Sequence, residues 1–462
     1  KEEKKRFSGT IGLITAQSGL QERHRLVHRL ERMGMSGLIV ASPFADTVQT
    51  KIVRTPELKR MVVVSVPFNA AARLRRLEGR EVSIVVSAEE EARNESSNVV
   101  SKLPGRGGLW MVVMSHYDTA PFCQGATDNA GGVAVCLEVA RLLANSTLPC
   151  TVYFVATGSE EYGADDFTGR GALDFFGRRE ADLESCIGLV DLDGFGNVLA
   201  SPLMHIGGCG MFRKAVLEAV KELAYTVKGK AGMGCDHGAA EQYGVPYVWV
   251  TESSSSYRPY YHTPDDTPDR LDWTLLTRYV RDVRRIVEKL ARMKPAYPFI
   301  KEEGFLVRPA RYRDIPAIKE ITKAAFEPVS MTKMQEDFFG ERLQGKEWYE
   351  FSSIERTCKK DIYRVIVTEK DGVVVGYATY GFEEDKGLAH IRMNAVLPEW
   401  QGKGIGTRMQ RELQRRMTEE GYSKSAVMTL SNDVPAQKLY EKLGYKKYIE
   451  AYHYLKKEET VK

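Results

Sequence analysis

The sequence predicts an α/β protein: a central domain with a mixed sheet, a small α+β segment before it, and a separate α/β domain after it. Three observations predict this. Strand-length apolar runs alternate with helical apolar patterns from about residue 96 to 293, as in a sheet covered by helices. Several runs end in acidic or imidazole side chains, at the edge where an α/β sheet opens its binding crevice. A linker broken by Pro295 and Pro298 then precedes a fresh pattern, and 462 residues exceed the ~250–300 that one core holds.

Taken in order, the runs 10–15 (TIGLIT), 37–41 (GLIVA) and 61–65 (MVVVS) read as strands, and 21–33 and 69–77 as helices. None carries a catalytic cluster. The run 109–114 (LWMVVM) is a buried strand leading to His116-Tyr117-Asp118. A Gly-containing loop follows, then Asp128-Asn129-Ala130-Gly131-Gly132 and a helical pattern over 133–143. The strand 150–156 runs into Thr157-Gly158-Ser159-Glu160-Glu161, and the strand 187–192 ends at Asp193-Gly194. A strand at 245–250 and a charged amphipathic helix over 272–293 close the domain. Beyond the linker 294–299, strands are expected at 305–308, 365–368, 373–380 and 390–396, and helices at 315–326 and 406–419. Asp371-Gly372 marks a hairpin.

A net charge of +4 is small for this length and makes no case for nucleic acid or a membrane as partner. No apolar run reaches the ~18 residues of a membrane span. Seven cysteines without a CxxC pair read as reduced thiols, which predicts a cytoplasmic protein.

Four polar clusters stand at strand ends: His116 with Asp118, Asp128, Glu160 with Glu161, and Asp193. A fifth, Tyr257-Arg-Pro-Tyr-Tyr261-His262, lies in a loop. Two imidazoles and three carboxylates suit a pair of borderline ions such as Zn²⁺, one carboxylate bridging. Glu160 and Glu161 are adjacent like charges, which repel unless a cation or a shared proton relieves them. On a loop they point apart, so one can bind metal while the other faces the metal's water. A solvated pair is the commoner fate of such a dipeptide, so the pair alone does not decide.

The order of the motifs does. His116-Tyr-Asp118, Gly125-Ala-Thr-Asp128-Asn129-Ala-Gly-Gly-Val, Glu160-Glu161-Tyr-Gly, Val190-Asp-Leu-Asp193 and Tyr261-His262-Thr-Pro-x-Asp-Thr resemble the dizinc aminopeptidases of the bacterial leucine aminopeptidase type. Gly234-Cys-Asp236-His237 and Gly244-Val-Pro246 match the same family, and the resemblance covers about residues 8–293. Its first part, GTIGLI through GMSGLIVAS to VVVSVPFNAAARL, resembles the protease-associated insert of such enzymes. The chain, which lacks an initiator Met, is therefore expected to be a fragment that starts inside that insert.

The resemblance implies a zinc-exopeptidase α/β/α fold, phosphorylase/hydrolase-like, and two Zn²⁺ ions, with Co²⁺ or Mn²⁺ as alternatives. It makes His116, Glu161 and His262 terminal ligands, Asp128 the bridge, and Asp193 the ligand completing the second site. Asp193 is preferred to Asp191 because it directly precedes Gly194, where the family has its ligand. Asp118 is implied to hydrogen-bond His116 and fix its ring, Glu160 to be the general base, and Tyr261 to donate to the oxyanion. Substrates would be peptides with a free N-terminus.

A second chemistry follows. Val396-Leu-Pro-Glu-Trp-Gln401-Gly402-Lys403-Gly404-Ile405-Gly406 leads from a strand into a helix, whose N-terminal N–H groups and dipole favour an anion. With Ser431-Asn432-Asp-Val-Pro-Ala436 and Leu439-Tyr440-Glu-Lys-Leu-Gly444-Tyr445, it resembles the GNAT acetyltransferase superfamily over roughly 304–457. Arg308-Pro-Ala310 with Asp314-Ile315 fits that superfamily's first strand and helix. Implied contacts to acetyl-CoA are Val396, Gln401, Gly402, Lys403, Gly404, Ile405 and Gly406 at the pyrophosphate end and Asn432 at the arm. Tyr440 is implied to protonate the departing thiolate, and the acceptor is a primary amine. Its base stays open among Glu383, Glu384, His390 and Glu399.

The expected organisation is a truncated insert over 1–90, a peptidase domain over 91–296 and a transferase domain over 303–462. The expected function is a bifunctional metalloaminopeptidase and N-acetyltransferase. Two alternatives are a peptidase-like module that only presents peptides to the transferase, and glutaminyl cyclase chemistry on the same fold. The intact Glu160 disfavours the first, and the five-ligand set disfavours the second, which uses one zinc.

Overall fold

The computed structural model describes residues 7–15, 20–50, 60–87, 95–162, 169–198, 200–253, 260–295 and 297–456, with only the backbone of 20–25. The chain divides into two compact units, one of Lys1–Ile206, Ala215–Ala240 and Tyr247–Lys294, the other of Gly207–Lys214, Glu241–Pro246 and Pro295–Lys462. The N-terminal segment and the central domain thus share one unit.

The first unit begins with β1 (Ile11–Thr15), α1 (Leu20–Arg32), β2 (Gly37–Ala41), β3 (Val62–Val66) and α2 (Phe68–Arg75), whose strands form a parallel sheet in that order. Val27, Met35, Leu38, Val40 and Met61 pack its core. Along the chain then follow β4 (Val99–Leu103), β5 (Trp110–His116), α3 (Gly131–Leu143), β6 (Thr151–Thr157), α4 (Arg170–Gly177), β7 (Cys186–Leu192), β8 (Pro202–Gly207), α5 (Gly210–Ala219), β9 (Thr226–Lys228), α6 (His237–Gln242), β10 (Tyr247–Glu252) and α7 (Trp273–Leu290), with residues 210–214 of α5 and 241–242 of α6 counted in the second unit.

Their strands form one sheet in the order β4-β6-β5-β7-β10-β8-β9. β4 runs antiparallel to β6, while β5 is parallel to both β6 and β7, so the sheet is mixed. Every residue of β5 and of β7 is buried, which is why both read as unbroken apolar runs rather than alternating ones. β4 lies at the edge and exposes Val99 and Val100. α7 starts where the Asp272 carboxylate accepts from the Leu275 N–H at 2.9 Å. It buries Leu276, Tyr279, Val283, Ile286, Val287 and Leu290, a stripe at helical spacing. Each aliphatic side chain so buried contributes about 1.5–3 kcal/mol.

The second unit holds β11 (Ile300–Glu302), β12 (Phe305–Pro309), α8 (Ile315–Phe326), α9 (Met331–Phe339), α10 (Ile354–Lys360), β13 (Val365–Lys370), β14 (Val373–Glu383), β15 (Leu388–Val396), α11 (Ile405–Glu419), β16 (Ser425–Val427) and α12 (Val434–Lys442). Its sheet follows chain order and is antiparallel except for the β15–β16 pair. Ile405, Met409, Leu413 and Met417 of α11 pack on Val307, Ile366, Tyr380 and Ile391. Asp371 and Gly372 both take positive φ, +50° and +82°, in the hairpin turn between β13 and β14. No helix among the described residues is long and apolar enough to cross a membrane.

Candidate functional site

β5 delivers His116 at its C-terminal end, and β7 delivers Asp193 one residue past its own. The two strands are parallel neighbours, so both side chains reach the same mouth. Asp128 sits in a wide turn, Ala126–Ala130, that leads into α3, and the Asp128–Asn129 peptide is cis. Asp266 holds this turn: its carboxylate accepts from the Thr127 N–H (2.8 Å), Thr127 Oγ1 (2.9 Å) and the Asp128 N–H (3.2 Å). Asn129 ties the turn to β7 by donating to the Leu192 carbonyl at 2.9 Å. At Gly132 a Cβ would stand 2.2 Å from Asn129 Oδ1 and 2.6 Å from the Leu192 carbonyl oxygen, so only glycine allows this approach.

The side chains converge in two groups. His116 Nε2 lies 3.1 Å from Asp128 Oδ1 and 3.4 Å from Asp193 Oδ1. His262 Nε2 lies 3.2 Å from Asp128 Oδ2 and 3.0 Å from Glu161 Oε1. Asp128 therefore offers one oxygen to each group. Donors held ~2.0–2.1 Å from one tetrahedral zinc ion stand about 3.3 Å apart, so these spacings fit an ion in each group. All five side chains are buried, and among the described residues no lysine or arginine of this unit is. Three carboxylates gathered with no fixed cation beside them repel, and divalent ions would supply the missing charge.

The electrostatics of the metal-free cluster agree. Burial works to lower the His116 pKa, but the side chains of Asp118, Asp128 and Asp193 and the charge of Glu160 outweigh it, and the net shift is well above the ordinary value. Burial works to raise Asp128, yet His116 and His262 hold it well below the usual carboxylate range.

The expected link from Asp118 to the His116 ring is present, but the hydrogen bond is made by the backbone carbonyl, with the carboxylate farther off. His116 Nδ1 is 2.9 Å from the Asp118 backbone carbonyl oxygen, and the carboxylate is 3.7 Å away. The carboxylate instead accepts from the N–H groups of Glu160 and Glu161, each at 3.0 Å. Two residues after a strand end, backbone and side chain point to different partners, and the carboxylate takes the two amides of the neighbouring loop. Ser159, just before them, has φ +58°, and both glutamates are buried.

Asp191 and Asp193 are separated by geometry. Asp191 Oδ2 accepts from the His237 N–H at 3.1 Å and lies 3.1 Å from His237 Nδ1, and Asp191 is a member of neither group. Asp193 Oδ2 accepts from the Cys235 thiol at 2.7 Å, a partner that the sequence did not reveal as functional. Asp266 stands in the motif after His262, and its hold on the Asp128 turn is a contact that only the fold reveals. Tyr261 is half-buried with its ring stacked on His262, centroids 3.7 Å apart. Tyr257 and the rest of 254–259 lie outside the described residues.

In the second unit α11 opens at Gly404, φ +77°, with no side chain capping its first turn and no acidic residue in it. Its leading N–H groups are thus open to an anion brought over Gln401 to Gly406. Gly402, φ +76°, bends the same loop, and Gln401 Nε2 donates to the Val396 carbonyl at 3.1 Å. Lys403 stands 4.2 Å over the Trp400 ring. β16 pairs with β15 only from Ala389 to Ile391, so β15 runs on to Val396 without that partner. Beside this stretch Asn394 Nδ2 donates to the buried Tyr440 hydroxyl at 2.8 Å. Burial raises the Tyr440 pKa, partly offset by Asn394. Asn432 is exposed and donates to the Pro328 carbonyl at 3.4 Å. Of the four candidate bases, two meet: His390 Nε2 is 2.8 Å from Glu383 Oε1.

Comparison with known proteins adds to these observations. Residues 98–287 match the model of peptidase family M28, and residues 318–445 that of the acetyltransferase (GNAT) family. Aminopeptidase YwaD of Bacillus subtilis (strain 168) is 26% identical over 167 residues, 34% of this chain and 36% of its own length, so the chain spans about a third of that relative. The uncharacterized protein YfbL of Escherichia coli (strain K12) is 24% identical over 227 residues, covering 40% of this chain and 68% of YfbL. Among solved structures, a peptidase M28 precursor from Shewanella amazonensis SB2B superposes with a TM-score of 0.54 at 20% identity, over 62% of this chain and 70% of that one. BSAP, a zinc aminopeptidase from Bacillus subtilis, gives 0.50 at 18% identity, over 63% and 74%. These structural likenesses concern the fold. With two family models matched in tandem, the chain carries a peptidase family M28 domain over residues 98–287 and a GNAT family acetyltransferase domain over residues 318–445.

Proposed function

We propose that the chain is a bifunctional enzyme: a metal-dependent aminopeptidase joined to an acetyl-CoA-dependent N-acetyltransferase. The observation that carries the first activity is Asp128, with one oxygen toward His116 and the other toward His262, each group completed by one more buried carboxylate. His116, Asp128 and Asp193 would hold one divalent ion, and Asp128, Glu161 and His262 the other. Such ions polarise a peptide carbonyl and acidify water.

The chain's own residues do the rest. Glu160, buried at the same mouth, takes the proton of the attacking water and passes it to the leaving amine. Asp118 fixes the backbone of Glu160 and Glu161, so that base and ligand keep their separate directions. Tyr261, stacked on His262, donates to the developing oxyanion.

In the transferase, the N–H groups from Gln401 to Gly406 receive the pyrophosphate of acetyl-CoA, and the unpaired edge of β15 receives its arm. His390, paired with Glu383, deprotonates the acceptor amine. Tyr440 protonates the thiolate; because Asn394 donates to its oxygen, the phenolic proton stays available. An aminopeptidase releases amino acids and exposes new N-termini, so the acceptor is an amino acid or peptide α-amine. A cytoplasmic location is part of this reading, supported by the use of acetyl-CoA and by seven cysteines without a CxxC pair.

The test is metal content per chain together with hydrolysis of aminoacyl-nitroanilides and an acceptor screen of amino acids, peptides and polyamines with the full chain. Two ions per chain, hydrolysis and α-amine acetylation are expected. Metal without hydrolysis would leave a peptide-presenting module, and one ion with cyclase activity would leave glutaminyl cyclase chemistry.

A further inference from the structure

Within the first unit, the segment after β2 reaches the loop that carries His262. The Thr50 N–H donates to the His262 carbonyl at 2.8 Å, and Thr50 Oγ1 donates to the same oxygen at 3.2 Å. Next to it, Gln49 Nε2 donates to the Tyr261 carbonyl at 3.4 Å. His262 itself has φ +55°, a left-handed conformation that only a few per cent of non-glycine residues adopt. Such a residue keeps its conformation only when surrounding contacts over-determine it. Here two donors from one residue grip the carbonyl of the strained residue.

The segment is itself anchored to the small parallel sheet. Ser42, just past β2, donates its N–H to the Val66 carbonyl at 2.8 Å, and Ser42 Oγ accepts from the N–H groups of Phe44 (3.3 Å) and Gln49 (3.2 Å). Ser65 Oγ on β3 donates to the Gln49 carbonyl at 3.3 Å. A chain of hydrogen bonds therefore runs from β2 and β3 through Ser42, Gln49 and Thr50 to the backbone of His262, whose ring faces Asp128 and Glu161.

We infer that the N-terminal insert is a working part of the metal centre, and that Thr50 is a positioning residue for His262. It sets the ion held by Asp128, Glu161 and His262 without touching the ion held by His116, Asp128 and Asp193. The inference rests on the two-ion reading above. It also follows by reciprocity that an ion at the His262 site tightens the Ser42–Thr50 segment.

The experiment measures the affinities of both zinc ions by titration calorimetry and by metal analysis, for wild type, T50S, T50V and T50P. T50S keeps both donors and should match wild type. T50V loses the hydroxyl, and T50P loses both the hydroxyl and the N–H; each should weaken one ion and spare the other, by about tenfold or more for T50P, the range seen for groups that orient metal ligands. Unchanged affinities in both T50V and T50P, or equal weakening of both ions, would overturn the inference. Should T50P not fold, hydrogen exchange of the wild-type chain decides: zinc should slow exchange of the Thr50 amide, and no change would overturn it. A wild-type chain that binds fewer than two ions would sink the functional reading instead, so the two failures are distinguishable.

Discussion

The Cys235 thiol donates to Asp193 Oδ2 at 2.7 Å, while Asp193 Oδ1 faces His116 at 3.4 Å. One carboxylate is thereby divided: one oxygen is held by the segment before α6, the other is free for metal. Cys235→Ser keeps a donor and should leave both ion affinities near wild type. Cys235→Val removes it, and the ion at the His116 group should weaken about tenfold, with the His262 group unaffected. Calorimetric zinc titration checks both.

Glu160→Gln removes a proton acceptor and no ligand. Both ions should stay bound while kcat for hydrolysis falls about 10²–10⁴-fold. Metal loss in this variant would mean that Glu160 and Glu161 have exchanged roles.

Asp128→Ala should lower occupancy at both sites, because each group takes one of its oxygens. Metal analysis after gel filtration is the readout. Loss of a single ion would make Asp128 a terminal ligand.

Metal removal should reshape the pH dependence of stability. The His116 pKa is raised in the folded metal-free chain, so its contribution is fully present below the unfolded value near 6.5 and is lost as pH rises through the folded value. The Asp128 pKa is depressed, so its contribution is present above about 3.8 and is lost as pH falls through the folded value. The Tm of the chelated chain should therefore be highest between those limits, declining above the upper one as His116 loses its proton and below the lower one as Asp128 gains one. Zinc displaces the His116 proton, so its affinity should rise with pH and the loaded chain should lose that decline. Thermal melts with and without chelator test the crossing of the two curves.

Tyr440→Phe keeps the ring and loses the proton. Acetyl-CoA binding should be unchanged and kcat for acetyl transfer should fall about 10²-fold. Chelator should leave this activity intact, since its site contains no group of the metal centre. Equal loss of both activities on chelation would refute that independence.

Much of this was legible because it is local. The apolar runs of β5 and β7 announce buried strands, and residues immediately beyond a strand end share a mouth. Asp371-Gly372 announced its hairpin for the same reason: turn chemistry depends on adjacent residues only. The strands β8 and β9 and the helices α5 and α6 give weaker signals in the sequence; β9 has three residues and α6 six, too few to show a period.

The longer elements and the order of the motifs at their ends can be read from sequence alone, because periodicity, glycine placement and motif order are properties of neighbouring residues. Only the tertiary structure decided who holds whom. Asp118 turned out to serve the amides of Glu160 and Glu161, Asp266 the turn of Asp128, Cys235 the carboxylate of Asp193 and Thr50 the carbonyl of His262. All of these partners are between 42 and 212 residues apart in the chain. A hydrogen bond depends on a few tenths of an ångström and on direction, and across such separations both are set by packing rather than by sequence spacing.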